Sequence, residues 1–152
     1  MRAHSIKQFL CVRVLDSGGF ILLTKEDIQQ VAERIGGQLN ETPVLTSTAL
    51  NNMCGLRVFF KCENFQKSGS FKYRGVASAV LALDKDQRDM GLITHSSGNH
   101  GAALAAFCSR MGLPVTVVVP ELASPYKRRA IERYGAEIID CGNTLESRNL
   151  AV

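Results

Sequence analysis

The chain has 152 residues, 45% of them hydrophobic and 21% charged, which is ordinary for a globular protein and long enough for a real core. Its formal net charge of +4 is small and its basic residues are dispersed, which excludes a nucleic-acid-binding stripe, and no apolar run approaches the roughly 18 residues a membrane span needs. Five scattered cysteines without a CxxC pair suit reduced, mostly buried thiols of an intracellular protein better than a disulfide framework or a zinc site.

Residues 1–23 read as an N-terminal extension. Arg2, Lys7 and Arg13 precede the first acid, Asp16. Organelle targeting is the alternative reading, whereas Arg13 interrupts the apolar stretch and argues against a secretory signal. The first helix is "LTKEDIQQVAERIGG", with Thr24 as cap, Asp27 at the third helical position, an apolar face of Ile28, Val31, Ala32 and Ile35, and Gly36-Gly37 as the stop. Thr42-Pro43 forces extended chain, Ala49 to Met53 form a short helix ended by Gly55, and Arg57 to Glu63 read as a strand. "YRGVASAVLALDKD" is a helix rich in small residues, able to pack closely against a neighbour. Next come strand Leu92–His95, a glycine loop, a helix from Ala102 to Met111 stopped by Gly112, and strand Val115–Val119. The Val-Thr-Val-Val-Val run lacks alternation, which suits a strand buried on both faces of a parallel sheet. Ser124 and Pro125 open another helix, Gly135 stops it, and Glu137–Asp140 form a strand. Lys127, Arg128 and Arg129 there read as a solvated helix face. Two successive strand–helix–strand units predict an α/β fold, an open parallel sheet with right-handed crossover helices. "TLESRNLAV" begins one more helix.

Two stretches carry chemistry. The loop "SSGNHG", Ser96 to Gly101, lies between a parallel strand and its crossover helix, where free backbone N–H groups and the helix dipole favour an anion. Gly98 and Gly101 are expected to let a ligand approach the backbone, and Ser96, Ser97, Asn99 and His100 supply four polar side chains, more than capping requires. Dinucleotide binding is disfavoured because GxGxxG is absent. The second stretch is "KSGSFKYRG", in which Lys72 opens a helix between Phe71 and Tyr73. It does not match a nucleotide P-loop, which needs GxxxxGK followed by Ser or Thr. The helix dipole and two aromatic neighbours favour a neutral, nucleophilic amine, while the same features are compatible with an ordinary solvated lysine.

Taken together, "FFKCENFQKSGSFKYRG" and "THSSGNHG" resemble the pyridoxal-phosphate enzymes of the tryptophan-synthase-β type (fold type II), within them the serine racemase and serine/threonine dehydratase branch. The similarity spans about Thr24 to Arg148; cysteine synthases typically show "KDR" and "SGNTG" where this chain has "FKYRG" and "SGNHG". The resemblance implies that Lys72 is the Schiff-base lysine for pyridoxal 5'-phosphate, with Phe71 and Asn99 as cofactor contacts, Asn99 at the phenolic oxygen. It implies that Ser96, Ser97, Asn99, His100 and Gly101 receive the carboxylate of a small amino-acid substrate. It further implies that Ser97, where plain threonine dehydratases usually have alanine, is the second proton carrier needed for racemisation; the alternative is a helix cap. His95, at a strand end, is expected to be structural. Ser47, Lys67 and Lys127 match positions near the nucleotide-effector site of animal serine racemases, whereas Ala49 and Ala102 depart from that pattern.

The family also needs a glycine-rich phosphate loop, a partner for the pyridine nitrogen and acidic ligands for a divalent cation; none has a counterpart here, so any cation ligands are expected outside this chain. The expected organisation is an N-terminal portion of a two-lobe enzyme: extension 1–23, part of the large cofactor lobe 24–90, and a truncated small lobe 91–152. The expected activity is racemisation or β-elimination of serine or threonine, by a cytoplasmic homodimer when full length, with the isolated N-terminal portion expected to be inactive. The rival reading is a non-catalytic α/β module that binds a small carboxylate or a partner protein through the "SSGNHG" loop.

Overall fold

The computed structural model describes residues 23–152. Apart from Leu23, the expected N-terminal extension lies outside the described residues, as does Cys11. Helix α1 spans Lys25–Ile35 and opens with the expected capping box, in which Thr24 Oγ1 accepts from Asp27 N and the Asp27 carboxylate accepts from Thr24 N. Its ending differs from expectation. Gly36 is right-handed helical, with φ −53°, and the chain tightens into a 3-10 turn over Gly36–Gln38 instead of stopping.

Strand β1, Val44–Leu45, pairs antiparallel with β2, Phe60–Lys61. Between them α2, Thr48–Cys54, is capped by Ser47 and ended by Gly55 at φ +67°. The strand expected over Arg57–Glu63 is thus two residues long. Only Val44–Leu45 lies alongside it among the described residues, and Glu63–Phe65 already turn as a 3-10 helix.

Helix α3, Lys72–Ala82, buries Tyr73, Val76, Ala77 and Val80. The helix expected to run on through Asp86 breaks at Leu83, because Asp84 caps a separate helix α4, Lys85–Asp89, with its own capping box. Strand β3, Leu92–His95, helix α5, Asn99–Met111, and strand β4, Val115–Pro120, follow. Then come α6, Pro125–Glu132, β5, Glu137–Cys141, and α7, Leu145–Leu150. The sheet is parallel in the order β3-β4-β5, so β4 is central and Val117, Val118 and Val119 are fully buried, as the unalternating valine run implied.

One apolar core joins α3 to α5. Tyr73, Val76, Ala77 and Val80 pack with Ala103, Leu104, Phe107 and Cys108, and the Tyr73 and Phe107 rings meet edge to face at 5.6 Å. This core crosses the boundary expected at residue 90. Of the four cysteines described, Cys108 and Cys141 are buried, Cys62 is half-buried and Cys54 is exposed, all unbridged. No helix among the described residues is long and apolar enough to cross a membrane.

Candidate active site

The carboxyl end of β3 runs directly into the "SSGNHG" loop. Helix α5 begins three residues earlier than the sequence suggested, so Asn99 and His100 lie in its first turn and Gly98 takes the cap position without a side-chain bond. The cap is supplied from further back. Ser96 Oγ accepts from Gly98 N at 3.2 Å and from Gly101 N at 3.0 Å, while Ser96 N donates to Val118 O at 3.0 Å. The capping role weighed for Ser97 therefore belongs to Ser96, and among the described residues no hydrogen bond engages Ser97 Oγ. The N–H groups of Asn99 and His100 likewise have no partner there, leaving two donors at the positive end of a thirteen-residue helix.

The two glycines of the loop divide their roles. Open space lies in front of Gly98, but a Cβ on Gly101 would come within 3.0 Å of Val117 Cγ1 and 3.1 Å of Ser96 O. Gly101 is buried, and its N–H is already given to Ser96. Gly101 thus offers a ligand neither surface nor donor, contrary to expectation. It lets α5 lie close on the sheet.

Lys72 is the first residue of α3 and is exposed. Its Nζ stands 4.9 Å from the Phe71 ring centroid and pairs with no carboxylate among the described residues. The aromatic enclosure expected around it is not formed. Phe71 is 59% exposed, and Tyr73, one helical step onward, turns fully into the core. Burial pushes the His100 imidazole below its ordinary value, and the charges of Lys72 and His95 push it the same way. A neutral His100 brings no cationic charge at pH 7, so anion binding rests on the backbone donors. His95 closes β3 opposite Val118, in a structural place as expected.

The segment leading to Lys72 is stitched down by side chains. Arg74 Nε and Nη2 donate to Glu63 Oε2 at 2.8 Å and Oε1 at 2.7 Å, and Thr42 Oγ1 donates to Glu63 Oε1 at 2.6 Å. These bonds hold the Glu63 carboxyl at about 2. Lys61 Nζ donates to Thr42 O at 2.7 Å. Gln66, buried, accepts from Asn40 N and donates back to Asn40 O. In contrast, the hydroxyls of Ser68 and Ser70, in the turn before Lys72, are buried without a partner. The sequence reading missed Glu63, Arg74, Thr42 and Gln66. Their one legible signal was a cluster of polar residues immediately flanking the lysine segment.

Of the three residues matched to an effector site, Lys67 lines a cavity of about 420 Å³ with Asn40, Ala106, Ser109, Arg110 and Tyr134. Burial lowers the Lys67 amine, and neighbouring Arg110 adds to the effect. Ser47 caps α2 and Lys127 is exposed on α6; neither lines that cavity. Among the described residues no group of three or more His, Cys, Asp or Glu is placed to hold a metal ion.

The residues present fit pyridoxal phosphate. The described residues supply an amine free of ion pairing, two unused donors at the start of α5, and two orphaned hydroxyls just before the lysine. Comparison with known proteins agrees. The family described as pyridoxal-phosphate dependent enzyme matches residues 35–152. Serine racemase from Dictyostelium discoideum is 44% identical over 126 residues, covering 83% of this chain and 39% of that protein. The beta-hydroxyaspartate dehydratase of Paracoccus denitrificans is 43% identical over 125 residues, covering 82% and 40%. The structure of maize serine racemase superposes with a TM-score of 0.80 at 40% identity, covering 83% of this chain and 38% of that one. The chain spans about two fifths of the length of the relatives it matches.

Proposed function

The chain belongs to the pyridoxal-phosphate-dependent enzymes, and on that premise we propose that it is the N-terminal portion of an enzyme that racemises serine, eliminates water from serine or threonine, or does both. The observation that carries this reading is that Lys72, unpaired among the described residues, opens α3 while the unused N–H groups of Asn99 and His100 open α5, the helix against which α3 packs.

Lys72 Nζ would hold pyridoxal phosphate covalently, with Phe71 beside it and the Asn99 side chain on the cofactor's phenolic oxygen. When bound, the cofactor supplies an electron sink for bond breaking at the substrate α-carbon. The substrate carboxylate is received by the Asn99 and His100 N–H groups with the hydroxyls of Ser96 and Ser97, where helix polarity favours an anion. The Ser96 oxygen stays occupied by two backbone donors, so its remaining capacity is to donate its own hydrogen. Lys72 Nζ, once released, takes the proton from the α-carbon. Ser97 Oγ, engaged by no described residue, delivers a proton from the opposite face and inverts the centre. A substrate losing its β-hydroxyl leaves instead as a 2-oxo acid and ammonia.

The proposal includes a homodimer when full length, a cytoplasmic site of action, and divalent-cation ligands, if a cation is used, outside this chain. The test is incubation of the full-length protein with pyridoxal phosphate and L-serine, with chiral separation of serine and assay of the 2-oxo acid. Formation of D-serine, 2-oxo acid or both is expected. Failure on serine and threonine alike, with a carboxylate still bound at the loop, would favour the non-catalytic module.

A further inference from the structure

We infer that Glu63, acting through Arg74, is a positioning residue for the Lys72 amine. The inference rests on the role proposed for Lys72. Successive residues on a helix project about 100° apart. Tyr73 is fixed on one side of α3, fully buried and edge-on to Phe107. Arg74 is fixed on another, by two bonds to a single carboxylate. With residues 73 and 74 both held, the direction of residue 72 is set.

The other ties described at that end of the helix are backbone bonds, from Tyr73 N to Ser70 O at 3.4 Å and from Arg74 N to Phe71 O at 3.0 Å. Phe71, at the cap position, makes no side-chain cap bond, and Ser68 and Ser70 have no partners for their hydroxyls. Lys72 is exposed and pairs with no carboxylate among the described residues. The Glu63 carboxylate itself cannot drift. Thr42 Oγ1 gives it a third bond at 2.6 Å, and the Thr42 carbonyl is held in turn by Lys61 Nζ. The clasp therefore transfers the rigidity of the β1–β2 region to the first turn of α3. A bidentate guanidinium–carboxylate pair fixes rotation as well as distance, which a lysine at position 74 could not do.

The consequence is specific. Loss of the clasp should leave the fold's α3–α5 core in place and loosen only the turn that aims Lys72. A misplacement of about 1 Å of a reacting group can cost on the order of 10²-fold in rate. The test uses full-length protein as wild type, Glu63→Gln and Arg74→Lys. Each is incubated with pyridoxal phosphate, reduced with borohydride and peptide-mapped, and kcat, KM and the thermal midpoint are measured alongside. The inference expects the label on Lys72 to fall relative to other lysines, and kcat to fall about 10- to 100-fold with KM within about 3-fold, at temperatures far below the midpoint. Lowered midpoints with Lys72 labelling and kcat unchanged would overturn it, since that is the behaviour of a purely structural pair. Should Glu63→Gln not fold, Arg74→Lys decides by the same criteria. Wild-type protein labelled elsewhere than Lys72 would instead overturn the proposed function, so the two failures are distinguishable.

Discussion

Replacing Gly101 with alanine tests the division of labour within the loop. The added methyl would stand 3.0 Å from Val117 Cγ1, 3.1 Å from Ser96 O and 3.2 Å from Ile131 Cδ1. The two side-chain tips can turn aside by a few tenths of an ångström. The Ser96 carbonyl is less free, because Ser96 N is bonded to Val118 O and Ser96 Oγ holds the amides of Gly98 and Gly101. Overpacking of this kind costs about 1–3 kcal/mol, offset by up to about 1 kcal/mol from the better helix propensity of alanine. A net loss on the order of 1–2 kcal/mol is expected for Gly101→Ala, read as a lower urea midpoint at constant m-value in the full-length protein. Gly98→Ala meets nothing within 4 Å and should cost no more than about 1 kcal/mol, while weakening ligand binding because its methyl projects into the open side. A Gly101→Ala midpoint equal to wild type, or a larger stability loss for Gly98→Ala, would refute the assignment of packing to one glycine and access to the other.

Ser97→Ala is expected to reduce interconversion of serine enantiomers by roughly 10²–10⁴-fold with a far smaller effect on elimination from L-serine; equal losses, measured on one preparation, would reduce Ser97 to a structural residue. Glu63 is held at about 2 against an ordinary value of 4.5, so its ionised form is favoured by folding. Its contribution, on the order of 3 kcal/mol, is complete above about pH 5 and is lost as pH falls toward 2. Acid unfolding of Glu63→Gln should accordingly lack that part of the pH dependence, and curves of identical slope would contradict the clasp. Residues 1–152 expressed alone should self-associate and fail to turn over serine, since Met53, Leu56, Phe59 and Phe65 are 81%, 69%, 58% and 57% exposed. Light scattering and a serine assay check this, and an active monomer with stoichiometric cofactor would contradict it.

The parallel α/β unit was legible because its signals are local. Strand β3 fell at Leu92–His95 as read, Gly112 stops α5 at φ +66°, and Ser124 with Pro125 opens α6. The errors arose where tertiary partners decide. Asp84 wins a cap that breaks an otherwise continuous helical pattern. The stretch Arg57–Glu63 has strand composition, but only Phe60 and Lys61 find a partner strand. Within the site, residue types announced an anion loop and a lysine of interest, yet which serine caps depended on the bond that ties Ser96 N to Val118 O, and which glycine packs depended on the position of Val117 and Ile131. The Glu63–Arg74–Thr42 network was illegible for the same reason: its members are up to 32 residues apart and their pairing appears only in the fold.

The central claim is that Lys72 is the reactive group of this chain. Full-length protein mixed with pyridoxal phosphate, reduced with borohydride and digested should yield one dominant pyridoxyl peptide, carrying the label at Lys72, and Lys72→Ala should lose both label and activity. A dominant label on another lysine, or a fully active Lys72→Ala protein, would contradict the account.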